Sequence, residues 1–243
     1  MIVKCTVAYD GWAYAGWQKQ ENALGIQEII ESALEKIHKK PTSIVASGRT
    51  DAKVHALGQV FHFESDGKIQ PISYVRALNS LLPLDIRIQK AEKAEDDFHA
   101  RFSCRSKRYL YIATRNQKDP FACRTKGILY QDLNVEQMLD ACQFLIGTHD
   151  FTTFSSSRID PRKSRIKTIK MISIEKRGQD YYFSFEGNGF LRYQVRMMTG
   201  TLIEVGKQTI APLDVQKMLD LKDKEACRYN ASPQGLYLME VCY

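Results

Sequence analysis

The apolar residues of this chain follow one order of periods and then repeat it. "IVKCTVAY" alternates with the period of two of a strand; Ile26, Ile29, Ile30, Ala33, Leu34 and Ile37 recur at helical spacing; "SIVAS" and "LGQVFHF" return to strand character. "ISYVRALNSLL" reads as a helix stopped by Pro83, and "DIRIQKAE" closes the set as a strand. The order then recurs, starting from "KRYLYIAT" as a strand and a helix marked by Val135, Met138, Leu139, Cys142, Leu145 and Ile146. Two strands, "KTIKMISIEK" and "DYYFSFEG", follow, then a helix over "FLRYQVRMMTGTLIEVG" and a last strand in "GLYLMEVCY". Two β-α-β-β-α-β units in series predict an α+β protein of two ferredoxin-like halves, residues 1–100 and 101–243. An extra helix is expected over "APLDVQKMLDL". Each half would cover one sheet face with its helices, so the two could share one broad mixed or antiparallel sheet with helices on one face and an open floor on the other.

Composition narrows the partners. With 44% hydrophobic and 26% charged residues in 243, the chain can bury a core and is neither a disordered tail nor a membrane span. Its apolar runs fall well short of the roughly 18 residues that cross a bilayer, and "MIVKCTVAYDGW" lacks the features of a secretory signal, so a cytoplasmic location is expected. Six cysteines without a C-x-x-C pair or a histidine at ligand spacing signal neither zinc nor a disulfide framework; buried thiols and no metal are expected. Lys and Arg exceed Asp and Glu by 35 to 28, a net charge of +7 that favours a polyanionic partner. Phosphate-loop, dinucleotide and nucleophile-elbow motifs are absent, as is the signature of a plain single-strand RNA reader.

"SGRTDAKVHALGQVFHF" concentrates charge at the mouth of a strand, in a connection rather than in an element. An arginine such as Arg49 close to Asp51 would keep that carboxylate ionised, which suits a nucleophile and not a general acid. On these residues alone the alternative stands that Asp51 closes a turn and Arg49 is a surface ion. "FHARFSCRSKRYLY" interleaves Arg101, Arg105, Lys107 and Arg108 with Phe98, Phe102, Tyr109 and Tyr111, either cations for phosphates and rings for bases or an amphipathic edge. Alternation puts Tyr109 and Tyr111 on one face, so one could fill the core while the other meets substrate. Arg192 and Arg196 are expected one turn apart on a helix, flanking a stripe of Leu191, Val195, Met198 and Leu202. His62 reads as a half-buried strand residue, and His55 as a substrate contact near Asp51. Lys163, Arg165 and Lys167 either grip RNA or solvate a loop.

Several uncommon blocks agree at once with one family. "YDGWAYAGWQKQENALGIQEIIESAL", "SGRTDAKVHALGQVFHF", "FHARFSCRSKRYLY", "IGTHDFTTFSS", "GNGFLRYQVRMMTGTLIEVG" and "GLYLMEVCY" resemble, in order and spacing, the TruA family of tRNA pseudouridine synthases over nearly the whole chain. The resemblance implies the pseudouridine synthase fold and isomerisation of uridine in the anticodon stem-loop, by a homodimer without metal or organic cofactor. It places the nucleophile on Asp51, its partner arginine on Arg49, the base-stacking tyrosine on Tyr109, a second arginine on Arg196, and an apolar wall on Leu236. Lys53 departs from the family pattern, which has glycine there; if that position needs φ > 0, lysine is strained by about 1 kcal/mol, and its charge could meet a phosphate. The same isomerase acting on ribosomal RNA, and an RNA-binding module without catalysis, are the alternatives.

Overall fold

The computed structural model describes residues 1–157 and 164–243, so Lys163 lies outside the described residues. Two compact units form: Met1–Arg105 together with Tyr237–Tyr243, and Ser106–Leu236. In the first, β1 (Ile2–Tyr9), α1 (Ile26–His38), β2 (Val45–Ala46), β3 (His55–Glu64), α2 (Ser73–Asn79) and β4 (Ile86–Ala94) follow in the expected order. β1 lies between β4 and β3, and β2 pairs with β3, all antiparallel, which is the 4-1-3-2 strand order of a ferredoxin-like unit.

Alternation explains which face of this sheet is covered. Val3, Cys5, Val7 and Tyr9 of β1 are buried, and α1 buries Ile26, Ile30, Ala33 and Leu34, the stripe its spacing predicts. Phe61 and Phe63 of β3 point the same way: Phe61 meets Trp17 and Phe63 meets Tyr74 of α2 and His38 of α1. His62, between them, projects from the opposite face.

The second unit holds β5 (Ser106–Thr114), α3 (Ala122–Thr125), β6 (Gly127–Ile128), α4 (Val135–Leu145), β7 (Gly147–Asp150), β8 (Ile166–Arg177), β9 (Asp180–Gly187), α5 (Gln194–Gly206) and α6 (Pro212–Leu221). Its strands run β5-β9-β8-β7, all antiparallel, with the short β6 parallel to β5. β9 alternates cleanly, burying Tyr181, Phe183 and Phe185. Asn134 caps α4 by accepting the Gln137 N–H at 3.1 Å, and Pro212 opens α6, where its missing N–H costs nothing. β10 (Leu236–Cys242) carries the chain back to the first unit, where Tyr237 and Leu238 pair in parallel with His55 and Ala56. β2 covers the same edge of β3 only at Phe61 and His62, which leaves the other end open for this pairing.

Three expectations are corrected. The helix expected from Phe190 starts only at Gln194, because Tyr193 is left-handed at φ 68° and Leu191 N–H is taken by the Gln194 side chain at 2.8 Å. Arg192 therefore precedes the helix that carries Arg196. Nor does α5 show a single stripe: nearly every residue is buried, and Thr199 and Thr201 satisfy their hydroxyls on the carbonyls of Val195 and Met197. The cysteines form no disulfide, but Cys123 and Cys242 are exposed and Cys104 half-buried rather than buried. Burial pushes the Cys142 thiol up to about 12, which leaves it inert at neutral pH.

Candidate active site

In the first unit the candidate residues cluster on the loop between β2 and β3, where Asp51 is half-buried and Arg49 exposed. The loop's backbone is fixed from beneath. Gln59, wholly buried, accepts from Ser47 Oγ at 2.7 Å and Val60 N–H at 3.2 Å, and its amide donates to Gly48 O at 2.9 Å. Thr50 O accepts the Trp17 N–H at 3.1 Å, and Thr50 Oγ1 lies 2.8 Å from the buried Tyr9 hydroxyl. Val54 N–H returns to Asp51 O at 3.2 Å, closing the turn that carries the carboxylate. The segment before α1 packs so closely on this turn that side chains are excluded: a Cβ on Gly16 would meet Thr50 O at 2.5 Å, and one on Gly11 would meet Val54 O at 2.0 Å.

Lys53 sits at φ 66°, so the position does require a left-handed backbone. Its Nζ lies over the Trp12 ring, 4.5 Å from the centroid. A lysine here is strained by about 1 kcal/mol, and the cation–π contact returns about 0.5 kcal/mol at an exposed site. Lys53→Gly should therefore raise unfolding free energy slightly, by about 0.5 kcal/mol, whereas Lys53→Val should lower it by about 1–2 kcal/mol, because a β-branched residue tolerates this conformation least. Urea denaturation of the three chains measures both.

His55 is buried, with its ring stacked on Tyr237 at 4.7 Å. Its Nδ1 is 3.1 Å from both Gly11 N and Asp10 Oδ1, contacts that demand opposite protonation. The backbone N–H is an obligatory donor and Asp10 Oδ1 already takes the Trp12 N–H at 2.9 Å, so we assign Nδ1 as acceptor and place the ring proton on Nε2. Arg101 is exposed on a different loop of the same unit.

The second unit holds Lys107, Arg108, Tyr109, Arg192, Arg196 and Leu236. Tyr109 and Tyr111 share a face of β5 and divide as alternation allows: Tyr111 is 1% exposed, its hydroxyl 3.0 Å from Ser232 Oγ, while Tyr109 is half-buried with its ring edge-on to Phe190 at 5.2 Å. Arg196 donates from Nε to Ala231 O at 2.8 Å, and its guanidinium lies 5.1 Å from the Tyr193 ring. Arg192, exposed, packs on the other side of sequence against that same ring at 4.9 Å. The left-handed Tyr193 thus serves both arginines. Lys107 is half-buried, Arg108 exposed and Leu236 5% exposed. No group of three or more His, Cys, Asp or Glu among the described residues could hold a metal, and no described helix is long and apolar enough to cross a membrane.

The family model described as tRNA pseudouridine synthase matches residues 6–103 and 141–243, most of the chain. The chain belongs to that family. A tRNA pseudouridine synthase A of an Exiguobacterium species is 44% identical over 241 residues, covering 99% of this chain and 97% of the relative. Those of Oceanobacillus iheyensis and Pseudoalteromonas translucida are 44% and 37% identical over 245 residues, covering 99% and 100% of this chain and 96% and 92% of theirs. The α+β architecture and the family both agree with the reading of the sequence. Gln59, Tyr9, Thr50 and Gly16 escaped that reading, although all but Gly16 are polar groups in otherwise apolar or turn contexts. A glutamine inside the strand run "LGQVFHF" was the visible signal, since a buried amide needs partners.

Proposed function

We propose that this chain converts uridine to pseudouridine in the anticodon stem-loop of tRNA, with Asp51 as nucleophile. Family membership together with the placement of Asp51 supports this reading: the one carboxylate the family pattern designates is half-buried on a turn whose backbone is tied down at Ser47, Gly48 and Thr50. A fixed turn keeps an attacking group within reach of a bound nucleotide at little entropic cost.

The target base must leave its stack, at a cost of a few kcal/mol, before its reacting carbons are accessible. Tyr109, half-buried on a rigid strand and braced by Phe190, offers its ring to the extruded uracil. Arg49 is the arginine the family pattern pairs with Asp51, and the Asp51 carboxylate attacks the ribose or the base. The C1′–N1 bond breaks, the uracil turns, a C1′–C5 bond forms, and the bond to the Asp51 carboxylate breaks to return the free enzyme. The C5 proton leaves to a base, for which Tyr109 is the candidate, and N1 takes up a proton, so the product is an isomer of the substrate. Arg196, oriented by Ala231 O, supplies positive charge, and Leu236 an apolar wall for the ring. Lys53, Arg101, Lys107, Arg108 and Arg192 contact RNA; His55, expected as a substrate contact, is buried against Tyr237 and instead holds the start of β3 behind the loop; and the active form is a homodimer.

Release of tritium from tRNA carrying 5-³H-uridine tests the reaction, because the C5 hydrogen is lost only when the new carbon–carbon bond is completed. The native chain should release tritium from the anticodon stem-loop. RNA binding without release would refute the enzymatic reading.

A further inference from the structure

Between β4 and β5 the chain makes a loop that is locked from below and bare on top. Ala100, fully buried, donates its N–H to His62 Nδ1 at 3.1 Å, and its carbonyl accepts the Tyr243 hydroxyl at 2.7 Å. Burial, and then the neighbouring His99 ring, hold His62 below the usual imidazole range, which keeps its Nδ1 available as an acceptor. His99 closes a single turn: its carbonyl accepts Ser103 N–H at 2.9 Å, and its Nδ1 takes the N–H groups of Arg101 and Phe102, each at 3.2 Å. These bonds fix the imidazole plane, and Phe102 stacks on it at 4.3 Å and 28°.

The outer surface of Phe102 is left open. The residue is 77% exposed, with the Arg101 guanidinium 5.8 Å from its ring and Arg105 exposed three residues on. His62 belongs to the face of β3 opposite the one that α1 and α2 cover, so the loop stands on the helix-free side of this sheet. A surface apolar ring normally needs no explanation. Here two tiers of side-chain-to-backbone bonds hold it rigid, one ring is already stacked beneath it, and arginines flank it, which is the combination that binds an unpaired base by stacking and its phosphate by charge.

We propose that Phe102, supported by His99 and flanked by Arg101, is a stacking platform for an unpaired base of the RNA, separate from the loop that carries Asp51. The proposal rests on the RNA-modifying function above and adds a second point of contact to it. Its ligand is a nucleobase outside a helix, because the exposed face accepts any base by its ring and no paired base presents one.

Binding of an RNA stem-loop with an unpaired loop, and of a fully paired RNA duplex, is measured in the Asp51→Ala background so that turnover plays no part. Phe102→Ala should weaken stem-loop binding about ten-fold or more and leave its salt dependence unchanged, with duplex binding altered by less than about two-fold. Phe102→Trp should restore affinity, which a merely structural role would not allow. Arg101→Ser should lower the log–log salt slope by about 0.7–0.9, as loss of one phosphate contact requires. Phe102→Ala binding the stem-loop like the parent, losing stem-loop and duplex equally, or not being rescued by Trp overturns the platform, as does absence of stem-loop binding by the native chain. Tritium release is read independently, so loss of the platform and loss of the enzymatic reading are separate results.

Discussion

Asp51→Ala is expected to abolish pseudouridine formation, lowering single-turnover rates by at least about 10³-fold, while the protein stays folded and binds RNA. The carboxylate is half-buried, so the reaction loses the nucleophile proposed for it while the core loses little. Two bonds of the turn are backbone to backbone: the Thr50 carbonyl takes the Trp17 N–H and the Asp51 carbonyl takes the Val54 N–H, and neither involves the deleted group. Unfolding free energy should change by less than about 1 kcal/mol. Removing an anion beside a polyanion should leave RNA affinity equal or slightly higher. Tritium release, urea denaturation and filter binding on one preparation check all three, and a folded Asp51→Ala chain with native turnover would remove the assigned nucleophile.

Gly16→Ala should damage both stability and turnover, although Gly16 has no chemistry of its own. Its φ is +99°, a region costly for any L-residue, and the added Cβ would sit 2.5 Å from Thr50 O and 3.0 Å from the Asp51 carbonyl carbon. Those are backbone atoms and cannot swing aside as a side chain would. The chain must instead push the Asp51 turn away, stretching the 3.1 Å bond from Trp17 N to Thr50 O. Strain and clash together should cost about 2–4 kcal/mol of stability, and displacement of the carboxylate on the order of 1 Å should lower turnover about 10²-fold. Gly67→Ala is the matched control: its φ is +84° but a Cβ there meets nothing within 4 Å. It should cost about 1 kcal/mol through backbone strain and leave turnover unchanged. Equal turnover in the two alanine variants would show that packing against Thr50 does not position Asp51.

These two glycines illustrate what a sequence can and cannot disclose. Periodicity located β1, α1, β8 and β9 because each of them buries one face against the same unit's core, and a buried face leaves a pattern within the element itself. The left-handed backbone at Lys53 was also foreseeable, since a lysine stood where the family pattern has glycine. Contacts between distant segments leave no such mark. Nothing near Gly16 in the chain announces Thr50, nothing in "FHARFS" announces the His62 nitrogen or the Tyr243 hydroxyl that clamp Ala100, and the parallel pairing of β10 with β3 depends on β2 being too short to cover that edge. The beginning of α5 was misplaced for a local reason: "FLRYQ" has helical spacing, but the left-handed Tyr193 and the Gln194 side chain on Leu191 N–H interrupt it.

The central claim is that this chain, through Asp51, makes pseudouridine in tRNA. Mapping modified nucleotides in tRNA and ribosomal RNA from cells lacking the gene, complemented with either the native chain or Asp51→Ala, tests it most directly. Pseudouridine should vanish from the anticodon stem-loop of tRNA in the deletion, return with the native chain and fail to return with Asp51→Ala. An unchanged tRNA pattern with pseudouridine missing from ribosomal RNA, or full restoration by Asp51→Ala, would contradict it.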